Sequence, residues 1–418
     1  MHDQRVFFPI VEALWLKALR SLARLCIGLV VLGMTAWATL AIYYSNLPRE
    51  PLRIALAAAF ATGTLLAFLF LPDRRRTLLG FGAAFAVVLL WWMSIEPSNE
   101  RDWQTEVAVL PYATQAGDLV TLHNVRNFDY RTEQDFVAHY DDRTFDLRRL
   151  DAVDLIAVYW AGDAIAHIMV SFGFADDYVT FSIETRKEQG EAYSSLAGFF
   201  KRYELIYVVG EERDLIRVRT NYRQPQELVY LYRTRAGPEA ARRLFLEYVE
   251  KVNQLRDSPE FYNTLTTNCT TDVWLLVRAL SDRFPLDWRV LLSGYFAEYA
   301  YDLGSLETSL PFPELKARSL INDKAHAADQ AVDFSQRIRE GLPRPPRRSA
   351  SGPSVPGLPA SLAPARMKRG DRSPRTDRMA GRRRMRQASG RLAARRALPL
   401  FRIPLTQRPR QARSRRTA

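Results

Sequence analysis

Ala164-Ile-Ala-His-Ile-Met-Val-Ser-Phe-Gly-Phe174 and, after Ala-Asp-Asp, Tyr178-Val-Thr-Phe-Ser-Ile-Glu-Thr185 decide how the middle of this 418-residue chain is read. Both runs are rich in Val, Ile, Phe and Tyr and bounded by Gly and Asp, the composition of strands. Gly173 to Asp177 reads as the turn of an antiparallel hairpin. Working outward, Asp118–Val125, Leu155–Trp160, Leu205–Val209, Leu215–Thr220 and Leu228–Tyr232 have the same character and are predicted as further strands. Two helices follow. Pro238 suits a first helical turn, and Ala241, Phe245, Tyr248, Val252 and Leu255 recur at steps of three and four. A second helix is expected to open near Thr270, with Val273, Leu276, Val277 and Leu280 as its buried stripe. Strands followed by packed helices predict an α+β domain, about Asn99 to Glu340, with a largely antiparallel sheet.

Upstream of that domain the chain changes character. Neutral, mostly apolar stretches run from Leu25 to Pro48, Ile54 to Pro72 and Thr77 to Ile95. About 20 such residues cross a bilayer core as a helix, so three transmembrane helices are predicted, near 25–45, 54–72 and 77–95. Arg5, Lys17, Arg20 and Arg24 precede the first, and Arg74-Arg75-Arg76 joins the second to the third; only Arg49 and Arg53 lie between the first two. The excess of basic residues predicts a cytoplasmic N-terminus (residues 1–24) and a domain outside the cytoplasm. The first span starts late and lacks a small-residue cleavage signal, which favours a permanent anchor.

Downstream, residues 341–418 hold 22 basic against two acidic residues, or +20; the formal total of +13 then leaves −7 for the rest. The basic balance therefore belongs to an Arg- and Pro-rich tail too poor in apolar residues to fold alone. The tail could meet anionic headgroups or cell-surface polymers, or be the product of a GC-rich reading frame with no function. Its place outside the cytoplasm argues against nucleic acid as a partner.

Two cysteines, Cys26 and Cys269, exclude a disulfide-stapled fold and a paired-cysteine zinc site. Cys26 lies at the inner edge of the first span and reads as packing. Cys269, in Tyr262-Asn-Thr-Leu-Thr-Thr-Asn-Cys-Thr-Thr-Asp272, falls at the predicted helix start. There, unpaired N–H groups and the helix dipole favour a thiolate. Asn268, Thr270 and Thr271 are natural caps and could also donate to an oxyanion. The alternative is a capped helix whose cysteine is a small buried hydrophobe. A reactive cysteine needs a base. His2 precedes the spans, His326 lies in a polar C-terminal stretch, and His139 lies in a charged helical or loop stretch. His167 and His123 lie on predicted strands. Thr180, Ser182, Glu184 and Arg186 alternate onto one strand face, so Ser182 or Glu184 could stand beside His167. The acidic residues Asp141, Asp142, Asp151 and Asp154 read as solvated turns rather than a metal site. No glycine-rich phosphate loop, zinc-protease or calcium-loop pattern occurs, and no cofactor is expected.

Several blocks in order carry a resemblance. They are Val125–Arg131, Ala166–Phe174, Phe181–Arg186, Tyr203–Val208, Glu212–Arg217 and Tyr262–Thr271. Over roughly Thr105 to Ala331 the chain resembles the Lnb N-terminal periplasmic domain family, which implies an envelope location. That fits a bacterial inner-membrane protein whose main domain is periplasmic. No pair of catalytic carboxylates suggests a glycosidase. The order of a His on one strand, a polar residue on the next and a Cys opening a later helix is similar to circularly permuted papain-like folds. Those include the permuted NlpC/P60-like and lecithin:retinol acyltransferase-like groups. The resemblance implies His167, Glu184 and Cys269 as base, orienter and nucleophile of a hydrolase or acyltransferase. The implied substrates are amide or ester bonds in peptidoglycan peptides, lipoproteins or lipids. The competing reading is a non-enzymatic envelope module that binds or matures a protein partner.

Overall fold

The computed structural model describes residues 4–47, 49–160 and 162–344. His2 and the tail beyond residue 344 lie outside them. Three long helices come first: α1 (Gln4–Tyr43), α2 (Glu50–Phe70) and α3 (Arg74–Met93). Their segments Trp15–Tyr43, Glu50–Phe70 and Arg74–Met93 are long and apolar enough to cross a membrane. Each helix begins ahead of the neutral stretch predicted for it. Charged side chains flank a span without interrupting helical hydrogen bonding, and long basic side chains can reach back to the interface. Asp73 caps α3, its Oδ1 accepting from the N–H groups of Arg75 and Arg76. Cys26 is exposed on α1.

The following domain is built on β1 (Tyr112–Ala116), β2 (Leu119–Arg126), β3 (Asp129–Tyr130), β4 (Phe136–Val137), β5 (Tyr140–Asp146), β6 (Leu150–Tyr159), β7 (Ala166–Phe174), β8 (Asp177–Arg186), β9 (Glu204–Gly210), α4 (Glu212–Leu215), β10 (Leu228–Arg233), α5 (Pro238–Asp257) and α6 (Cys269–Leu280). The large sheet runs β1-β2-β9-β8-β7-β6-β10, with β5 also paired to β2; β3 and β4 form a separate ribbon. Every strand pair is antiparallel except β2 and β9, which meet in parallel at Arg126 and Gly210. The predicted α+β class and largely antiparallel sheet are what the chain forms.

Alternation along the strands feeds two cores. Ile168, Val170, Phe172, Phe181 and Ile183 face α5 and α6, packing against Phe245, Tyr248 and Val273. Ile156, Val158, Met169, Ile206 and Val208 face the other way, against Leu215, Ile216, Ile321, Phe334 and Ile338. Helices cover both faces, which is why the central strands read as nearly continuous apolar runs.

Two readings of the sequence are corrected here. Leu215–Thr220 is not a strand: α4 ends at Leu215 and a π-helical turn spans Val218–Tyr222. Ile216-Arg-Val-Arg219 alternates apolar and charged residues as a strand does, but so short a stretch has no decisive period, and buried polar anchors choose the helix. Asp214 accepts from Arg126 Nε at 2.9 Å, from the Phe128 N–H at 2.8 Å and from Tyr130 Oη at 3.0 Å. Asp154 is not a solvated turn residue. It is buried on β6, paired with Arg339 at 2.8 Å and Arg233 at 2.6 Å.

Candidate active site

β7 and β8 share a ladder from Phe174 and Asp177 to Met169 and Ser182, where it ends. β8 continues along β9 to Arg186, and β7 continues along β6 to Ala166. The two strands therefore part just where His167 would meet Glu184. Alternation puts His167, Ser182 and Glu184 on the face of Met169, while α6 packs on the opposite face. The N-terminus of α6 brings Cys269 to this gap.

Asn268 builds that N-terminus. Its Oδ1 accepts from the N–H groups of Thr270 and Thr271, at 2.9 and 3.0 Å, and its Nδ2 donates to the Thr264 carbonyl at 2.8 Å. With both ends of the amide engaged, Asn268 is the helix cap. Thr270 is buried, its Oγ1 3.8 Å from Cys269 Sγ. The partly buried sulfur also receives the Ile168 N–H and interacts with His167. Ile168 is free to do so because β7 has already left β8 at that point.

His167 Nε2 lies 2.7 Å from Ser182 Oγ and 3.2 Å from Glu184 Oε1. Ser182 Oγ is 2.6 Å from the same Glu184 oxygen, and Arg219 Nη2 is also 2.6 Å from it. An ionised carboxylate only accepts, so the Ser182 hydroxyl donates to Glu184 and Nε2–H donates to Ser182. That assignment leaves Nδ1 for the sulfur. Sequence reasoning found Cys269, His167, Ser182 and Glu184, and the fold brings all four together. It missed Arg219, which sits on the π-helical turn within the run misread as a strand. Arg219 is only 6% exposed, and Glu227 stands 3.6 Å from its Nη1. A buried charge of this kind demands a carboxylate partner, but nothing along the sequence says which.

The electrostatics follow from this packing. Burial opposes the charge on His167, but Glu184 outweighs it and the imidazolium persists up to about pH 9. Burial also opposes the Glu184 charge, yet His167 and Arg219 hold that carboxyl well below its ordinary range. At Cys269 burial favours the thiol, whereas His167 and the Ile168 N–H pull its pKa below the usual value. The site thus favours an imidazolium beside a sulfur whose ionisation is eased, the direction that makes a cysteine more nucleophilic. It opens into a cavity of about 300 Å³ whose lining includes Trp160, Tyr193, Arg223, Tyr262 and Leu291.

The other histidines stand elsewhere. His123 bonds Asp142 and Thr114 and stacks on Tyr112; His139 pairs with Asp141; His326 reaches the Thr220 carbonyl. Among the described residues no group of three or more His, Cys, Asp or Glu is placed to hold a metal ion.

Three membrane-capable helices followed by this α+β domain define a membrane-anchored periplasmic domain. Residues 136–294 match the family model of the Lnb N-terminal periplasmic domain. The match runs from β4 to Gly294, past the short helix Trp288–Leu291, and contains Cys269, His167, Ser182, Glu184 and Arg219. No significant match is found among curated proteins or among solved structures.

Proposed function

We propose that this protein is a membrane-anchored thiol enzyme that transfers acyl groups through Cys269. The observation that carries the reading is the continuous relay Cys269–His167–Ser182–Glu184–Arg219 in an open cavity. The Cys269 thiolate attacks the carbonyl carbon of an ester or amide. The imidazolium gives its proton to the departing alcohol or amine, leaving an acyl thioester. His167 then takes a proton from water, an alcohol or an amine as that nucleophile attacks the thioester, and the thiolate is released. Water makes the enzyme a hydrolase; an alcohol or amine makes it an acyltransferase. The carboxylate and Ser182 orient the ring, as the third member of a triad does.

Substrates embedded in the membrane fit the surroundings best. Segment 187–203 lines the cavity through Tyr193 and Ser195 and turns its other end to the membrane helices. There Phe200 stacks on Tyr44, centroids 5.9 Å apart, and Lys201 Nζ reaches the carbonyls of Trp92 and Ile95. Of the cavity lining, Trp160, Tyr193 and Leu291 remain exposed. Exposed apolar groups beside membrane helices suit lipids or lipoproteins better than soluble peptidoglycan peptides.

The test uses full-length protein in detergent with p-nitrophenyl palmitate. A thioester of the palmitoyl mass should form on Cys269, be released by hydroxylamine, and be absent from Cys269→Ala. In His167→Ala its formation should slow by about 10²–10⁴-fold. An inert Cys269 in folded protein, or unchanged turnover in Cys269→Ala, would sink this reading and leave the binding-module reading standing.

A further inference from the structure

A second cavity, of about 270 Å³, opens on the membrane side of the same segment. Its floor is the α1–α2 joint, Ser45 to Leu47, with Arg53 one turn into α2. Its walls carry Arg101, Lys201 and Arg202. Glu188 and Glu191 line it too, so four cations face two carboxylates.

The carboxylates are committed. Glu188 pairs with Arg101 at 2.8 Å and Glu191 with Arg202 at 2.7 Å. Arg101 holds the buried Glu204 as well, at 2.8 Å. Among the described residues neither Arg53 nor Lys201 has a carboxylate within ion-pair distance. Lys201 spends its donors on the last carbonyls of α3, Trp92, Met93 and Ile95. Arg53 Nη1 reaches only the Ser45 carbonyl, at 3.2 Å, which Arg202 shares at 3.3 Å; Arg53 Nε is buried with no partner. Two guanidinium groups thus converge on one carbonyl. A buried donor without an acceptor costs free energy, and two facing cations repel. An anion with several oxygens relieves both.

We infer that this cavity binds a phosphate ester, the headgroup of an anionic lipid in the leaflet on the domain's side. The location selects a lipid. The cavity sits where α1 ends and α2 begins, and beside the C-terminal end of α3, at headgroup depth for helices that span a bilayer. Guanidinium groups suit phosphate because their donors fork onto two oxygens. Nothing here depends on chemistry at Cys269.

The experiment is native mass spectrometry of the full chain in detergent, titrated with phosphatidylglycerol, phosphatidylcholine or sodium phosphate. One phosphatidylglycerol should bind in preference to phosphatidylcholine. Arg53→Gln should weaken it about fivefold, the contribution of one basic residue at an anionic surface; Arg53→Lys should retain most of it. Equal retention of the two lipids on wild-type protein would overturn the proposal, and needs no variant to fold. So would unchanged binding in Arg53→Gln. Displacement of phosphatidylglycerol by equimolar inorganic phosphate would reassign the cavity to the free anion.

Discussion

Cys269 and His167 set each other's protonation, and the signs of the two shifts define a pH window. His167 holds its proton more tightly in the folded protein than its ordinary 6.5, up to about 9. Its contribution to stability is therefore complete below the ordinary value and lost as pH rises through about 9. The thiolate works in the opposite direction. Its contribution is complete above the ordinary thiol value and fades as pH falls through the lowered one. The two opposite shifts favour the ion pair between the limits. Alkylation of Cys269 by iodoacetamide should already be fast at pH 7, and its pH dependence should move upward in His167→Ala. If both profiles rise together near pH 8.5 to 9, the pairing is absent. Glu184→Gln keeps the shape of the side chain but removes the charge that favours the imidazolium. In that variant the upper limit of the window should fall from about 9 toward 6.5, read from the imidazole titration by NMR. Ser182→Ala leaves the 3.2 Å approach of His167 to Glu184 in place. The loss there should be the smaller one, within about tenfold in rate, the scale of one modest hydrogen bond.

At the scale of elements, the site exists because a β-ladder stops early and a short helix supplies a charge. Had β7 and β8 continued in register, His167 would face Glu184 across a closed pair and the sulfur would have no gap to enter. Two devices hold the geometry open. The first is the 293–295 turn at the rim. The Ala166 N–H donates to Ser293 Oγ at 2.9 Å, and Tyr159 Oη donates to the Gly294 carbonyl at 2.5 Å. A Cβ on Gly294 would lie 2.0 Å from the Asp163 carbonyl oxygen. Gly294→Ala should therefore cost about 1–3 kcal/mol, as overpacking does, and slow Cys269 alkylation if the rim shifts. The second device is α4 with its π-helical turn, anchored by Asp214 and carrying Arg219. Asp214→Ala would strand the buried Arg126 guanidinium and the Phe128 N–H. A loss of about 3–5 kcal/mol is expected for a broken buried ion pair, measured by chemical denaturation of the detergent-solubilised protein. A loss below 1 kcal/mol would show that the anchor is dispensable.

Across the domain the sheet is a partition between two helical layers, and segments far apart in sequence close it. The helix Phe334–Arg337, the last among the described residues, leads to Arg339, which pairs with Asp154 of β6 and Glu212 of α4 while only 1% exposed. Phe334 and Ile338 complete the core beneath it. This clasp fixes α4, and through α4 the turn that holds Arg219. Arg339→Ala should destabilise the domain by about 3–5 kcal/mol, because two carboxylates stay buried. Part of the reactivity of Cys269 should go with it at temperatures where the wild type is intact. On the membrane side, Trp37 of α1 and Tyr44, just past its end, pack on Phe200. The membrane-capable helices, segment 187–203 and the cavity are therefore contiguous.

The three spans, the hairpin of β7 and β8, the two helices after the strands and the cysteine at a helix start are legible in the sequence alone. It also placed a His and a Glu on neighbouring strands. Each is a local property, written in apolar run length, in alternation or in a capping residue such as Asn268. That Leu215–Thr220 turns instead of extending shows only in the fold, because its fate rests on Arg126, 88 residues before Asp214. The fold likewise decided that Asp154 is buried, because Arg339, 185 residues away, neutralises it. Arg219 joined the site for the same reason. Burial of a charge is governed by partners that folding brings from far along the chain, and no periodicity in the sequence records them.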